Sequence, residues 1–441
     1  MSVGGRLRLV RAAHWLRPGL RLKRHMALGL GGIALAGLGA GGLWGGRAVP
    51  LSLPLSVLAV LLGIALAVRG GWKLVVGLVE RLVPSAEPGG ELSARVYRSV
   101  SRDRGPRIVA LGGGTGLPVL LRGLKAYTGH ITAVVAVSDD GGSSGRLRGE
   151  LKMLPPGDLR NCLTALADTE PLMNRLFQHR FGGDGDLRGH AFGNLFIAAM
   201  NEVTGDFEEA IRQSSRVLRV RGQVIPATSE EVSLVAELDD GTTVRGETAI
   251  AKTPGRVVRM RLDPERPRPT REAVEAILAA DAIVLGPGSL YTSVVPHLLI
   301  PEVLQAIRTS PATLVVVGNI MTQPGETDGM TAAMHVDALL AHGLEGRIDW
   351  TLWNDAPLAP AVLERYARMG AEPVVVDVAA LERHGVRAVL RPLIAEGPLV
   401  RHDADRLARE VLRCVLAARG DDPARMLDFL LLGQELRVEP P

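Results

Sequence analysis

The sequence has almost no cysteine. Its two, Cys162 and Cys414 in 441 residues, lie far apart without metal-ligand spacing around them. That excludes a disulfide framework and a cysteine zinc site, and it fits reduced, buried thiols in a cytosol-facing protein. Acid is scarce in the first 82 residues, where eleven Lys and Arg face only Glu80. This arm carries +10, so against +4 for the whole chain the remainder carries −6. A mildly acidic main body argues against a nucleic-acid surface there.

Charge of either sign is absent from residues 26–46 and 48–68, two runs of 21 residues separated by Arg47. Each has about the ~20 residues that a helix needs to cross a bilayer. A signal peptide would have a shorter apolar run and no second span so close behind. The expectation is a transmembrane hairpin over 26–69 behind a basic cytoplasmic tail, 1–25. Its turn, 47–54, lies outside, because both basic flanks belong inside. Trp44 and Trp72 sit near the span ends. Residues 70–83 can form a short amphipathic helix along the inner leaflet, and 84–90 read as linker.

The whole chain is 22% charged and 46% apolar, and the rest of it, 105–441, reads as globular. It is organised around residues 107–116, an apolar run ending in Gly112, Gly113, Gly114, Thr115 and Gly116. A strand that stops at glycines and opens a helix holds phosphates in many α/β proteins. The dinucleotide pattern G-x-G-x-x-G lacks its last glycine, since Leu117 stands there. With no convincing catalytic dyad either, a plain NAD dehydrogenase is disfavoured.

A second strand, 131–137, ends in Asp139 and Asp140 before Gly-Gly-Ser-Ser-Gly, with Ser143 and Ser144. The acids can hold a hydroxyl, a base edge or Mg2+, or can simply make a turn. After Pro155-Pro156-Gly157, Asp158 is expected to cap a helix, with Arg160 and Asn161 in its first turn facing a ligand phosphate. His190 opens another helix and reads as a structural hydrogen-bonder rather than a catalyst. Residues 223–262 look like a small β insert with a hairpin at Asp239-Asp240-Gly241. A third strand, 282–285, runs into Gly286-Pro287-Gly288-Ser289-Leu290-Tyr291-Thr292-Ser293, where hydroxyls can bind phosphate and Tyr291 a base or sugar. Strand 313–318 ends in the polar stretch from Asn319 through Thr322, and 373–377 reads as the last strand. Helices are expected over 271–280, 331–343, 357–369 and 403–417. Five strands, mostly separated by helices, make an α/β, doubly wound, mainly parallel sheet.

Six motifs, at 112–117, 139–145, 155–161, 189–195, 286–293 and 319–327, together resemble the gluconeogenesis factor (YvcK-like) family of the CofD-like, 2-phospho-L-lactate transferase superfamily. The resemblance spans about 105–430 and leaves out the arm, which departs from a mostly cytoplasmic family. It implies a Rossmann-like domain that binds a UDP-sugar, UDP-N-acetylglucosamine above all, with a role in cell shape and wall synthesis on gluconeogenic carbon sources and no established reaction. The glycine loop would then lie near the diphosphate, and Tyr291 matches a tyrosine of the sugar-nucleotide site. Asn194, Gly288, Ser289, Thr292, Asn319 and Thr322 join the expected binding set by the same motifs. The transferase branch has Gly-Asp-Asp after the second strand; here Ser138 precedes Asp139-Asp140, which favours the regulatory branch.

Two functions stand as expectations. One is a membrane-tethered regulator at the cell membrane, with both the N-terminus and the domain cytoplasmic, partnered by a UDP-sugar and by wall-synthesis proteins. The other is a Mg2+-dependent transferase, with metal on Asp139 and Asp140, moving a phospho-group from a nucleotide diphosphate donor. Homo-oligomerisation is left open.

Overall fold

The computed structural model describes residues 22–43, 52–82, 105–168, 171–397 and 399–419. The chain divides into two units, residues 1–97 and 98–441.

The first unit is a helix pair, Leu22–Leu43 and Leu53–Leu82. Two stretches, His25–Leu43 and Leu53–Leu74, are long and apolar enough to cross a membrane. Glycine sets how closely the pair packs. A Cβ on Gly63 would fall 2.4 Å from Ala36 N, and one on Gly70 would fall 2.4 Å from Gly29 N. The two backbones therefore touch, as small residues permit in lipid. Leu30, Ile33, Leu58 and Leu61 point outward and are exposed. The second helix runs unbroken to Leu82, so residues 70–82 extend it and do not form a separate amphipathic element. Residues 1–21 of the basic tail, Trp44, Arg47 and the linker 84–90 lie outside the described residues, as does most of the turn expected at 47–54.

The second unit is built on a parallel sheet of seven strands. These are β1 (Ile108–Gly112), β2 (Ile131–Val135), β3 (Gln223–Pro226), β7 (Ala282–Leu285), β8 (Thr313–Val317), β9 (Trp350–Asn354) and β10 (Arg387–Arg391), in the order β10-β9-β8-β7-β1-β2-β3. A second, antiparallel sheet, β5-β4-β6, holds β4 (Ser233–Leu238), β5 (Thr243–Arg245) and β6 (Val257–Asp263). The central strands β1, β7 and β8 are buried at every position, as expected of strands covered on both faces. Each such Val, Ile or Leu contributes about 1.5–3 kcal/mol on full burial. Ile108 is in register with Ile131 on one side and Ala282 on the other.

From β1 the chain winds outward through β2 to β3, then returns to β7 on the opposite side of β1. The order reverses between β1 and β7. That is the topological switch point, where ligands bind at the carboxyl ends of the strands.

Three readings of the sequence need correction. Residues 373–377 are not a strand; Pro373 makes only an isolated bridge to Met321, since proline has no N–H to continue a ladder. The sheet is completed instead by β9 and β10, the latter an edge strand with Arg at both ends and no fully buried residue. The segment 223–226 joins the main sheet beside β2, so the β insert begins at β4.

Candidate functional site at the strand tips

The loop after β1 and the loop after β7 are packed against each other across the switch point. A Cβ on Gly116 would sit 2.4 Å from Pro287 O, and one on Gly288 would sit 3.5 Å from Gly113 O. Only glycine at 116 lets the helix Gly116–Leu124 start so close to the second loop. Beneath them His297 is fully buried, with Nε2 3.2 Å from Gly112 O. Burial holds its pKa down to about 4, so the ring is neutral under the glycine loop.

On the β7 and β8 side the two loops border a cavity of about 380 Å3. Gly114, Thr115, Gly116, Gly288, Ser289, Asn319 and Thr322 line it, closed further out by Tyr366 and by Arg401 and His402. Its lining mixes uncharged amides and hydroxyls with apolar side chains, Val119, Ile320 and Met321 among them. Gln323 Nε2 donates to Ser289 Oγ at 2.7 Å, and Asn319 Nδ2 donates to Gln323 Oε1 at 3.4 Å. Thr322 Oγ1 accepts from Glu372 N at 3.0 Å.

The β2 side is charged. Asp158 does not cap its helix, Gly157–Leu166, whose N-cap is Pro156. Its Oδ2 accepts from Gly114 N at 2.5 Å. A helix cap was the wrong expectation because the tight Pro155-Pro156-Gly157 turn delivers the carboxylate across to the glycine loop instead. One loop N–H that could meet a phosphate therefore already meets a carboxylate. Burial pushes Asp158 up to about 6, helped by Asp139 and opposed by the Gly114 N–H and Arg160. Arg160 is buried, with Nη2 donating to Asn161 Oδ1 at 2.7 Å and no hydrogen-bond partner for Nε or Nη1. Burial first, and Arg180 second, lower it to about 10.

Around these residues helix starts crowd together. Ser143 Oγ, at the start of helix Gly142–Leu151, accepts from Asn194 Nδ2 at 3.0 Å and lies 3.1 Å from His190 Nδ1. His190 is thus a structural partner, as its position suggested. A Cβ on Gly157 would strike Ser144 Oγ at 2.3 Å.

The paired acids diverge. Asp139 Oδ1 accepts from Gly141 N at 2.9 Å. Asp140 Oδ1 is taken by Thr248, through N at 2.9 Å and Oγ1 at 2.6 Å. Among the described residues no group of three or more His, Cys, Asp or Glu is placed to hold a metal. One oxygen of each acid, Asp139 Oδ1 and Asp140 Oδ1, is therefore held by a different segment.

Tyr291 and Thr292 turn away from the cavity. The Tyr291 hydroxyl reaches Val257 O at 3.5 Å, and its ring packs edge-on to His342. Thr292 Oγ1 donates to Glu326 Oε1 at 2.9 Å, and burial pushes Glu326 up to about 7.

Sequence reasoning missed Glu247, on the short helix Glu247–Ile250 of the insert. Burial, then Asp139 and the neighbouring Asp158, Glu326 and Asp140, push it up to about 9, which makes it a neutral acid at neutral pH. Nothing in the local sequence marks it, because its environment is assembled from four distant segments. Gln323 and Arg180 were missed too; the first was legible as a neighbour of Thr322.

The profile of the CofD family, 2-phospho-L-lactate transferase CofD, matches residues 108–394. The gluconeogenesis factor of Bacillus subtilis (strain 168) is 47% identical over 69% of this chain and 96% of its own length. A protein of Nostoc sp., provisionally named a gluconeogenesis factor, is 44% identical over 90% of this chain and 91% of its own. The tenth of the chain left over is shorter than the arm, so the match reaches into the arm, which is therefore not peculiar to this sequence. A crystal structure of a UPF0052 family member from Bacillus halodurans superposes with a TM-score of 0.68, at 48% identity, over 70% of this chain and 99% of that one.

Proposed function

The chain belongs to the CofD family, in its gluconeogenesis factor branch, and from that premise we propose that it is a membrane-tethered regulator that binds a nucleotide sugar, with UDP-N-acetylglucosamine the leading ligand. The observation that carries this reading is the cavity at the switch point, walled by the glycine loop and by Ser289, Asn319 and Thr322. Neutral amides and hydroxyls there suit the sugar and base of a ligand whose diphosphate lies at the glycines. The helix pair anchors the domain on the cytoplasmic side. Tethering would raise its effective concentration beside membrane-bound wall-synthesis proteins and so link carbon supply to cell shape.

Calorimetry on the full-length chain in detergent tests the ligand. Saturable binding of UDP-N-acetylglucosamine is expected, weakened by Asn319→Ala; no heat at millimolar ligand would sink the reading. Protease added to sealed right-side-out vesicles should leave the domain intact, and digestion of the domain would reverse the topology.

The match to the transferase profile supports a second reading, transfer of a phospho-group from a nucleotide diphosphate donor. It predicts release of a nucleoside monophosphate or diphosphate on incubation with donor and acceptor.

A further inference from the structure

The residues expected to form one binding site do not all line one cavity. The switch-point cavity touches Thr115, Ser289, Asn319 and Thr322, but none of Ser143, Asp158, Arg160, Asn161 or Asn194. Asp158 ties the second group to the glycine loop through Gly114 N.

The second group has chemistry of its own. Arg160 is 5% exposed and keeps two N–H-bearing nitrogens, Nε and Nη1, without a partner. A buried guanidinium with open donors is costly unless something accepts from them. Its stem lies on the N-terminal turn of helix Phe192–Thr204; a Cβ on Gly193 would fall 2.7 Å from Arg160 Cδ. Asn194, in the same turn, is 1% exposed. That turn is joined through Ser143 Oγ to the start of helix Gly142–Leu151, so two helix starts contribute partial positive charge at one place. Arg180 is bridged through its backbone to Ala191, immediately before that turn, its Nη1 donates to Gly189 O at 3.0 Å, and its charge acts to lower the Arg160 pKa. Asp158 and Asp139 offset part of this repulsion, and an anion accepting from the open Arg160 donors would offset more.

We propose that Arg160 and Arg180, over the first turn of helix Phe192–Thr204, form a second pocket that binds the phosphoryl group of a separate small ligand, beside but distinct from the nucleotide-sugar cavity. The assignment builds on the reading of that cavity as the nucleotide-sugar site. The bound group is either free phosphate or the head of a phosphate monoester. Open N–H groups at Arg160 would donate to its oxygens, and the neighbouring Asp158 carboxyl would be favoured in its protonated form when the dianion is present. A regulator built this way reads two metabolites, one in each pocket.

The test is a pair of titrations on the full-length chain in detergent, one with inorganic phosphate and one with UDP-N-acetylglucosamine, each by calorimetry. Arg180 is exposed, so Arg180→Ala should fold; it should weaken phosphate at least fivefold and leave the nucleotide sugar within twofold. Ser289→Ala should do the reverse. Arg160→Lys, with its melting temperature checked, should weaken phosphate more than tenfold. Repeating the phosphate titration with sn-glycerol 3-phosphate separates the two sources. Binding of the ester with the same arginine dependence assigns the site to monoesters, and binding of phosphate alone assigns it to the free ion. The proposal is overturned if phosphate gives no heat at 10 mM, if neither arginine variant alters it, or if Arg180→Ala weakens both ligands equally. Failure of UDP-N-acetylglucosamine to bind, with phosphate binding intact and arginine-dependent, would remove the nucleotide-sugar reading and leave this pocket standing.

Discussion

Glycine does different work in the two units of this chain. In the helix pair it removes side chains so that two regular backbones can touch along their length, at Gly32, Gly63 and Gly70. In the α/β unit it removes side chains where irregular loops meet, at Gly113, Gly116 and Gly157, so that a carboxylate, a carbonyl and a hydroxyl can approach. The first use recurs along a face, because helices are periodic. The second follows no period, because each contact is set by a different loop. Packing glycines can therefore be told from site glycines by what an added methyl would strike.

The largest expected effect is at the crossing of the two loops. Gly116→Ala puts a methyl 2.4 Å from Pro287 O, a backbone atom that cannot swing aside. Overpacking of this kind costs about 1–3 kcal/mol, and it pries apart the walls of the switch-point cavity. Denaturant unfolding should show that loss, and nucleotide-sugar affinity should fall more than tenfold. Wild-type affinity in a destabilised Gly116→Ala protein would separate the loop crossing from the binding wall.

Next comes the helix pair. Gly63→Leu places a branched side chain where Ala36 N lies 2.4 Å from the position of a Cβ. The helices should separate, read as a longer and broader distance between spin labels at the exposed positions Leu38 and Leu58 in bilayers. Unfolding of the α/β unit should not change. An unaltered distance would mean that the pair is held by something other than this glycine face.

A smaller effect distinguishes the two walls of the site by pH. Asp158 rises from 3.8 in the unfolded chain to about 6 in the folded one. The folded state therefore binds the proton more tightly. Its contribution is full below pH 3.8 and is lost as pH rises through 6. Asp158→Asn can still accept from Gly114 N, but it has no proton to lose. The wild-type stability advantage over Asp158→Asn should shrink between pH 4 and 6, measured by melting temperature across that range. On the β7 side, Asn319→Ala should give a difference from wild type that is flat over the same window, because an amide does not titrate there.

How far the site could be read from sequence follows the same division between regular and irregular structure. Strands β1, β2, β7 and β8 were legible because continuous apolar runs stop abruptly at glycine or polar residues. The edge strands β3 and β10 were not. Gln223–Pro226 is short and Arg387–Arg391 is charged at both ends, and both gain strand identity from a neighbour. The glycine loop, Arg160 and the Ser289 loop were visible as motifs. Their division between two walls was not, because which side of β1 a loop reaches depends on strand order. Tyr291 shows the limit clearly. An aromatic after a glycine turn looks like a ligand contact, yet the turn aims its ring at the insert, where β6 and His342 bury it.

The smallest effect expected is none, and it is the sharpest check on the comparison. Gly37 lies in the same helix as Gly32, but nothing approaches within 4 Å of the place its Cβ would occupy. Gly37→Ala should leave the spin-label distance unchanged, and it should favour the helix slightly, since alanine is the better helix former by up to about 1 kcal/mol. Periodicity alone does not separate these two glycines, because both sit in one Gly- and Ala-rich run. If Gly37→Ala leaves the distance between Leu38 and Leu58 intact while weakening self-association of the full-length chain in bilayers, the outward face has a partner beyond the second helix, and glycine there is kept for another chain. If distance and association both hold, the packing use of glycine in this arm ends at the face that meets the second helix.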